Sequence, residues 1–131
     1  MANKAIEITG LTKVFKNGRG ISDLNLEVDE GDIFGFLGPN GAGKTTVMKI
    51  MTGLMKPDSG DVKIFGASVL DDYVNAMKHV GCMIETAESY PYLTANENLK
   101  MFARYYPWVD QKRIDECLEI TGMLKYKNEK P

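Results

Sequence analysis

The sequence predicts an α/β fold, and three observations carry that prediction. The first third alternates apolar and polar residues, as half-buried strands do. A glycine-rich stretch, Gly38-Pro39-Asn40-Gly41-Ala42-Gly43-Lys44-Thr45-Thr46, lies between an apolar run and a helical pattern. The last third carries two helical patterns, each opened by a capping residue.

Ala5-Ile6-Glu7-Ile8-Thr9 alternates, and Lys13-Val14-Phe15 continues in the same style. Lys16-Asn17-Gly18-Arg19-Gly20 has the residues of a turn. Leu24-Asn25-Leu26-Glu27-Val28 alternates again, and a second turn follows at Asp29-Glu30-Gly31-Asp32. Residues 32–37, Asp-Ile-Phe-Gly-Phe-Leu, read as a buried strand running into the glycine-rich loop. Val47-Met48-Lys49-Ile50-Met51 reads as the helix leaving it, with Gly53 as its stop. Lys56-Pro57-Asp58-Ser59-Gly60 breaks the chain. A strand over residues 61–65 ends at Gly66, and a short helix covers residues 72–78. Val80-Gly81-Cys82-Met83-Ile84 is nearly unbroken apolar sequence, as in a strand buried on both faces of a parallel sheet.

Thr94-Ala95-Asn96-Glu97 is a capping box that opens a helix to about Tyr106, with Leu99, Phe102, Ala103 and Tyr106 on one side. Pro107 ends it. Asp110 caps a second helix, where Ile114, Leu118 and Thr121 share a face with Cys117 beside them, and Gly122 stops it. Residues 126–131 are polar and carry no predicted element.

The glycine-rich stretch fits G-x-x-x-x-G-K-[ST], and strand, loop, helix is the context that pattern requires. Glycines let the backbone turn so that successive N–H groups face phosphate oxygens. Lys44 reaches the β- and γ-phosphates, and the Thr45 hydroxyl is a Mg²⁺ ligand. The N-terminus of the following helix faces the same anion. Nucleoside triphosphate binding is therefore the first functional expectation, with residues 38–46 as the binding loop.

Bulk properties narrow the class. The 131 residues suffice for one domain. A hydrophobic content of 44% and a charged content of 26% are those of a globular protein. A net charge of −2 gives no basic bias, so no nucleic-acid partner is expected. No apolar run has the length of a membrane span or a signal peptide, so the expected location is cytoplasmic. Cys82 and Cys117 lack the spacing of a metal or redox motif and read as reduced, partly buried thiols. His79, the single histidine, reads as structural at a helix end, and no residue is assigned a catalytic role.

Taken together, Leu11-Thr12-Lys13-Val14-Phe15, Gly31-Asp32-Ile33, residues 37–46, Gly53-Leu54, Pro57-Asp58-Ser59-Gly60 and Gly66 resemble the N-terminal part of an ABC-transporter nucleotide-binding domain. The resemblance covers nearly the whole chain. It implies a P-loop NTPase fold of the ABC ATPase type, in which residues 1–131 form part of the ATP-binding domain. It implies ATP and Mg²⁺ as cofactors, a membrane permease subunit and a second nucleotide-binding domain as partners, and a location at the inner face of the membrane through the permease. An aromatic residue upstream of the phosphate loop stacks on adenine in this family, and Phe15 stands at that position. The alternative for Phe15 is an ordinary core strand residue.

The family places a glutamine after a buried strand, where this chain has Glu85. Residues 83–94 are similar to the subgroup that exports bacitracin-like and lantibiotic peptides, in which Glu commonly takes this place. The resemblance implies that Glu85 faces Mg²⁺ and that residues 87–93 lie near the permease. The family's L-S-G-G-Q-like segment, its apolar run followed by Asp and Glu, and its later histidine are not in these 131 residues. Ser68-Val69-Leu70-Asp71-Asp72 is the nearest imitation of the acidic pattern and reads as a loop opening the short helix. The expectation is a shortened chain whose two buried strands lack neighbours. Three readings stay open: the ATP-binding half of a transport ATPase, a nucleotide- or partner-binding module that hydrolyses nothing, and another phosphate-loop enzyme such as a kinase. A GTPase is disfavoured by the lack of an N-K-x-D-like motif.

Overall fold

Alternation of apolar residues brings the first part of the chain together as an antiparallel sheet. The computed structural model describes residues 3–86 and 88–131. Contacts divide it into two compact units, Met1–Thr86 and Ala87–Pro131.

In the first unit, strands β1 (Lys4–Val14) and β2 (Gly20–Asp29) form a hairpin around the predicted turn. Strand β3 (Ser59–Ile64) pairs with the other edge of β1, and the two-residue β4 (Ala67–Ser68) pairs with β3. The order is β2-β1-β3-β4, with every pairing antiparallel. Register follows the apolar pattern: Ile8 faces Leu26 on one side and Val62 on the other, and Ile6 faces Val28 and Ile64. Gly60 permits the close approach of β3 to β1. Its φ is 86°, and a Cβ there would lie 2.4 Å from the Gly10 carbonyl oxygen.

Helix α1 (Lys44–Met51) lies against this sheet. Val47 and Ile50, three apart and so on one helix face, are fully buried with Leu11, Ile8 and Val62. Gly53, with φ 71°, ends the helix and donates its N–H to the Ile50 carbonyl, as the sequence predicts. Helix α2 (Tyr73–Met77) adds Ala76 to the same core. The Ser68 hydroxyl accepts the N–H groups of Leu70 and Asp71, so residues 68–72 are the loop opening α2.

Two expected strands do not form. Residues 32–39 and 80–84 carry no strand pairing among the described residues. Ile33 is 104% exposed and Leu37 92% exposed, and Cys82 and Met83 are also exposed. A strand with apolar residues on both faces needs ladder partners for its N–H and C=O groups and layers above and below it. The antiparallel sheet supplies neither. Cys82 and Cys117 are both exposed, which corrects the expectation of partly buried thiols. His79 packs edge-on to Phe65, in keeping with a structural part.

The second unit is helical. Helix α3 (Ala95–Ala103) opens with the predicted capping box: Glu97 N–H donates to Thr94 Oγ1, and Thr94 N–H donates to the Glu97 carboxylate. The Thr94 N–H, then the Thr94 hydroxyl, hold the Glu97 carboxyl below the usual carboxylate range. The helix ends three residues before Tyr106, in turns at Tyr105 and Tyr106. Helix α4 (Gln111–Ile120) is capped by Asp110, buries Ile114 and Leu118, and ends at Gly122. The final residues are more ordered than their polarity predicts. A single 3₁₀ turn covers Leu124–Tyr126, and the carbonyls of Lys127 and Glu129 accept the N–H groups of Asn96 and Ala95. Those are donors in the first turn of α3 that have no partner within the helix. Lys127 also pairs with Asp115 at 2.6 Å.

Asn98 is the hub of this unit and was not visible as such in the sequence. It is buried, accepts the Tyr90 N–H at 2.8 Å, and donates to the carbonyls of Tyr90, Leu93 and Thr94. Asn98→Ala leaves the Tyr90 N–H and the Leu93 carbonyl without a partner, while the Tyr90 and Thr94 carbonyls keep the N–H groups of Leu93 and Asn98. A buried orphan costs about 1–3 kcal/mol. Chemical denaturation is expected to show a loss in that range for the second unit, with the Met1–Thr86 unit unaffected.

Candidate nucleotide-binding site

The phosphate loop is shaped by its glycines. Gly43 sits at the N-cap of α1 with φ 97°, and a Cβ there would fall 2.5 Å from Ile21 Cγ2. A larger residue is thus excluded both by the left-handed backbone and by β2. The Ala42 N–H donates to the Pro39 carbonyl, closing the turn at 3.1 Å. The first bond of α1 runs from Val47 N–H to the Gly43 carbonyl. The N–H groups of Lys44, Thr45 and Thr46 therefore have no acceptor among the described residues, and they form the positive end of the helix.

Lys44 folds back over the loop. Its ammonium donates to the carbonyls of Gly38 and Pro39, the latter at 2.7 Å. An ammonium has three donors, so one remains for a phosphate oxygen while these two contacts persist.

The loop and the β1–β2 hairpin together enclose a cavity of about 320 Å³, lined by Phe15, Asn17, Arg19 and Gly20 and by residues 40, 41 and 43–46. Phe15 immediately follows β1 and is 37% exposed, so it is not a core residue. Two backbone bonds hold it: its N–H donates to the Arg19 carbonyl, and its carbonyl accepts the Gly18 N–H, both at 2.8 Å. Asp58 fixes the preceding residues. One carboxylate oxygen takes the Lys13 ammonium at 2.7 Å, and the other takes the Val14 N–H at 2.8 Å.

Of the sequence-predicted residues, Phe15, Asn40, Gly41, Gly43, Lys44, Thr45 and Thr46 line one cavity. Gly38 and Pro39 stand behind it as acceptors for Lys44, and Ala42 braces the turn. Glu85 is not among the lining residues. Its carboxylate pairs with Lys49 of α1 at 3.3 Å, and its backbone is left-handed, with φ 66°. Ala87, the first residue of the expected permease-facing segment, lies outside the described residues. In the remainder of that segment Tyr90 and Tyr92 are exposed and meet edge to face. Asn17, Arg19 and Gly20 line the cavity without having been singled out in the sequence. The available signal was their place in the turn after Phe15.

The ABC transporter family model matches residues 21–131. The chain belongs to the ABC transporter family. It is 44% identical over 118 residues to the uncharacterized ABC transporter ATP-binding protein YhcH of Bacillus subtilis (strain 168), covering 90% of the chain and 39% of that protein. It is 41% identical over 118 residues to the bacitracin transport ATP-binding protein BcrA of Bacillus licheniformis, with the same coverage of each. Among solved structures, a dimeric post-hydrolysis state of the ATP-binding cassette MJ0796 bound to ADP and Pi superposes with a TM-score of 0.77 at 28% identity. That match covers 96% of the chain and 61% of MJ0796. The chain thus spans about two fifths of the length of these curated relatives. Its fold is part of an ABC ATPase nucleotide-binding domain.

Asp58 gives the end of β1, next to this site, a pH-dependent stability. The Lys13 ammonium, then the Val14 N–H, hold its carboxyl below the ordinary value of 3.8. A depressed folded-state value means that the stabilisation is present above pH 3.8 and is lost as pH falls through the lower folded value. Acid titration of unfolding is expected to show the chain losing stability below pH 3.8 relative to Asp58→Asn, whose side chain does not titrate. Parallel curves for the two would mean that Asp58 does not clamp the end of β1.

Proposed function

We propose that this chain is the ATP-binding portion of an ABC transporter subunit that powers export through a membrane permease, with peptide antibiotics of the bacitracin type as the exported class. The observation that carries the nucleotide assignment is the shared cavity, which joins the phosphate loop to the exposed ring of Phe15. Residues 38–46 hold the phosphates, and Phe15 stacks on adenine. An aromatic face accepts any base without reading its edge, so ATP selection rests on more than Phe15. The similarity to the bacitracin transporter BcrA supports the substrate class.

Mg²⁺ fits the residues present. The described residues hold no group of three or more His, Cys, Asp or Glu side chains able to cage a metal. Mg²⁺ does not require such a cage: it takes one or two protein oxygens together with substrate phosphates. The Thr45 hydroxyl, beside Lys44 on the cavity wall, is one such oxygen. The Glu85 carboxylate, which pairs with Lys49 and does not line the cavity, is the second in this reading. When bound, the metal neutralises charge on the β- and γ-phosphates.

MJ0796 is a dimer in its nucleotide-bound structure, which supports a second nucleotide-binding domain as partner. The permease contact is assigned to residues 87–93. The subunit would then sit at the inner face of the membrane through that contact. Among the described residues no helix is long and apolar enough to cross a membrane.

Lys44→Ala is expected to remove most Mg-ATP binding by calorimetric titration, because it deletes a charge-assisted contact to phosphate. Equal affinities for folded wild type and variant would overturn the assignment. Phe15→Ala is expected to weaken ATP binding about 5- to 150-fold, matching a stacking contribution of about 1–3 kcal/mol. Tripolyphosphate binding should change less than about twofold, because stacking acts on the base alone. A matched loss for both ligands would return Phe15 to a purely structural part.

A further inference from the structure

Glu85 is the residue at which the sequence departs from the common family pattern, and the structure gives it a partner that the pattern does not name. Lys49 Nζ lies 3.3 Å from Glu85 Oε1. Lys49 is four residues after Thr45, so the two side chains lie on one face of α1, a single turn apart. Thr45 lines the phosphate cavity at the start of that turn. The ion pair therefore holds the Glu85 carboxylate against α1, about one turn beyond Thr45 and outside the residues that line the cavity.

Glu85 also adopts φ 66°, a backbone conformation disfavoured for a residue with a Cβ. Such a conformation persists where surrounding contacts fix it. The Lys49 ammonium is the side-chain contact the structure shows for this carboxylate. Two bland explanations compete. A lysine in the last turn complements the helix dipole with no partner at all. An exposed ion pair is also a weak source of stability. Neither accounts for a contact spanning 36 residues of sequence and ending on the one loop carboxylate assigned to the metal.

We propose that Lys49 is a positioning residue for Glu85. It anchors Oε1 and leaves Oε2 available to Mg²⁺ beside Thr45. Carboxylates that ligate metals are themselves held by hydrogen-bonding partners, and loss of such a partner typically lowers metal affinity about 10–100-fold. Here the partner is cationic, so it also offsets the negative charge that a carboxylate brings near a triphosphate. A neutral glutamine in that place would need no such counter-charge. The inference rests on the nucleotide-site reading above and on the assignment of Glu85 to the metal.

The test measures ATP affinity in saturating Mg²⁺ and in chelator for the wild-type chain, Lys49→Met, Glu85→Gln and the double variant. The quantity read is the ratio of the two affinities for each form. Lys49→Met is expected to lower that ratio about tenfold, to the level of Glu85→Gln, with the double variant no lower than either. Lys49→Arg should keep most of the wild-type ratio, because it retains the charge and reach. The thermal midpoint of Lys49→Met should stay near wild type, which separates positioning from a structural loss. Independent, multiplying effects of the two substitutions would overturn the proposal, since they would show that the lysine acts on the phosphates directly. So would an unchanged ratio in Lys49→Met. If Lys49→Met does not fold, the Lys49→Gln pairing with Glu85→Gln gives the same cycle. Wild-type binding that depends on Lys44 but shows no response to Glu85→Gln overturns this inference and leaves the nucleotide site standing. No binding by the wild type overturns both.

Discussion

The contact of α1 with the antiparallel sheet sets the position of everything functional in this chain. Val47 and Ile50 are each 1% exposed, and Leu11 and Val62 lie across from them in the same core. Burial of two such side chains contributes about 1.5–3 kcal/mol each. Its larger consequence is rotational. Once positions 47 and 50 face the sheet, the 3.6-residue period directs Thr45 and Lys49 to the other side of the helix. The helix start then lies beside β2, where Gly43 meets Ile21, and beside the hairpin that carries Phe15. The nucleotide cavity is a by-product of that docking.

The sheet and the two unpaired apolar segments show opposite dependences on context. Strands β1 and β2 are joined by a short turn and satisfy each other's backbone groups, and β3 closes on β1 with its own apolar side chains. The loop-closure cost is small and the partners are at hand. Residues 32–37 and 80–84 have the composition of buried parallel strands, yet they have no ladder and no second layer among the described residues. Exposed apolar strand sequence of this kind is prone to pairing with another chain. The site is affected only in part. The loop keeps its glycine-set turn against α1 and the hairpin, and Lys44 ties the end of the unpaired segment to it through the Gly38 and Pro39 carbonyls.

The second unit obeys the same division between local and distant causes. The Thr94 capping box and the Asp110 cap are four-residue affairs, and both stand where the sequence predicts. Asn98 is different. A polar residue inside a helix reads as solvent-facing, but here three carbonyls and one N–H converge on it. The final residues gain their order in a similar way, by supplying carbonyls to the start of α3.

The sequence by itself determined what depends on neighbouring residues: the glycine loop with Lys44 and Thr45, the alternation of β1, β2 and β3, the helix caps, and the turn that follows Phe15. These are set by φ preferences, capping hydrogen bonds and periodicity over a few residues, all of which act within the local chain. The missing neighbours of residues 32–37 and 80–84 were expected, but the tertiary structure decided that they form no strand at all, because a strand buried on both faces exists only with its partners. It alone decided that Phe15 is exposed at a cavity and not in the core, since only the docking of α1 brings the loop to that ring. It also decided that Glu85 pairs with Lys49, 36 residues away, because the reach of an ion pair depends on distance in space and not along the chain.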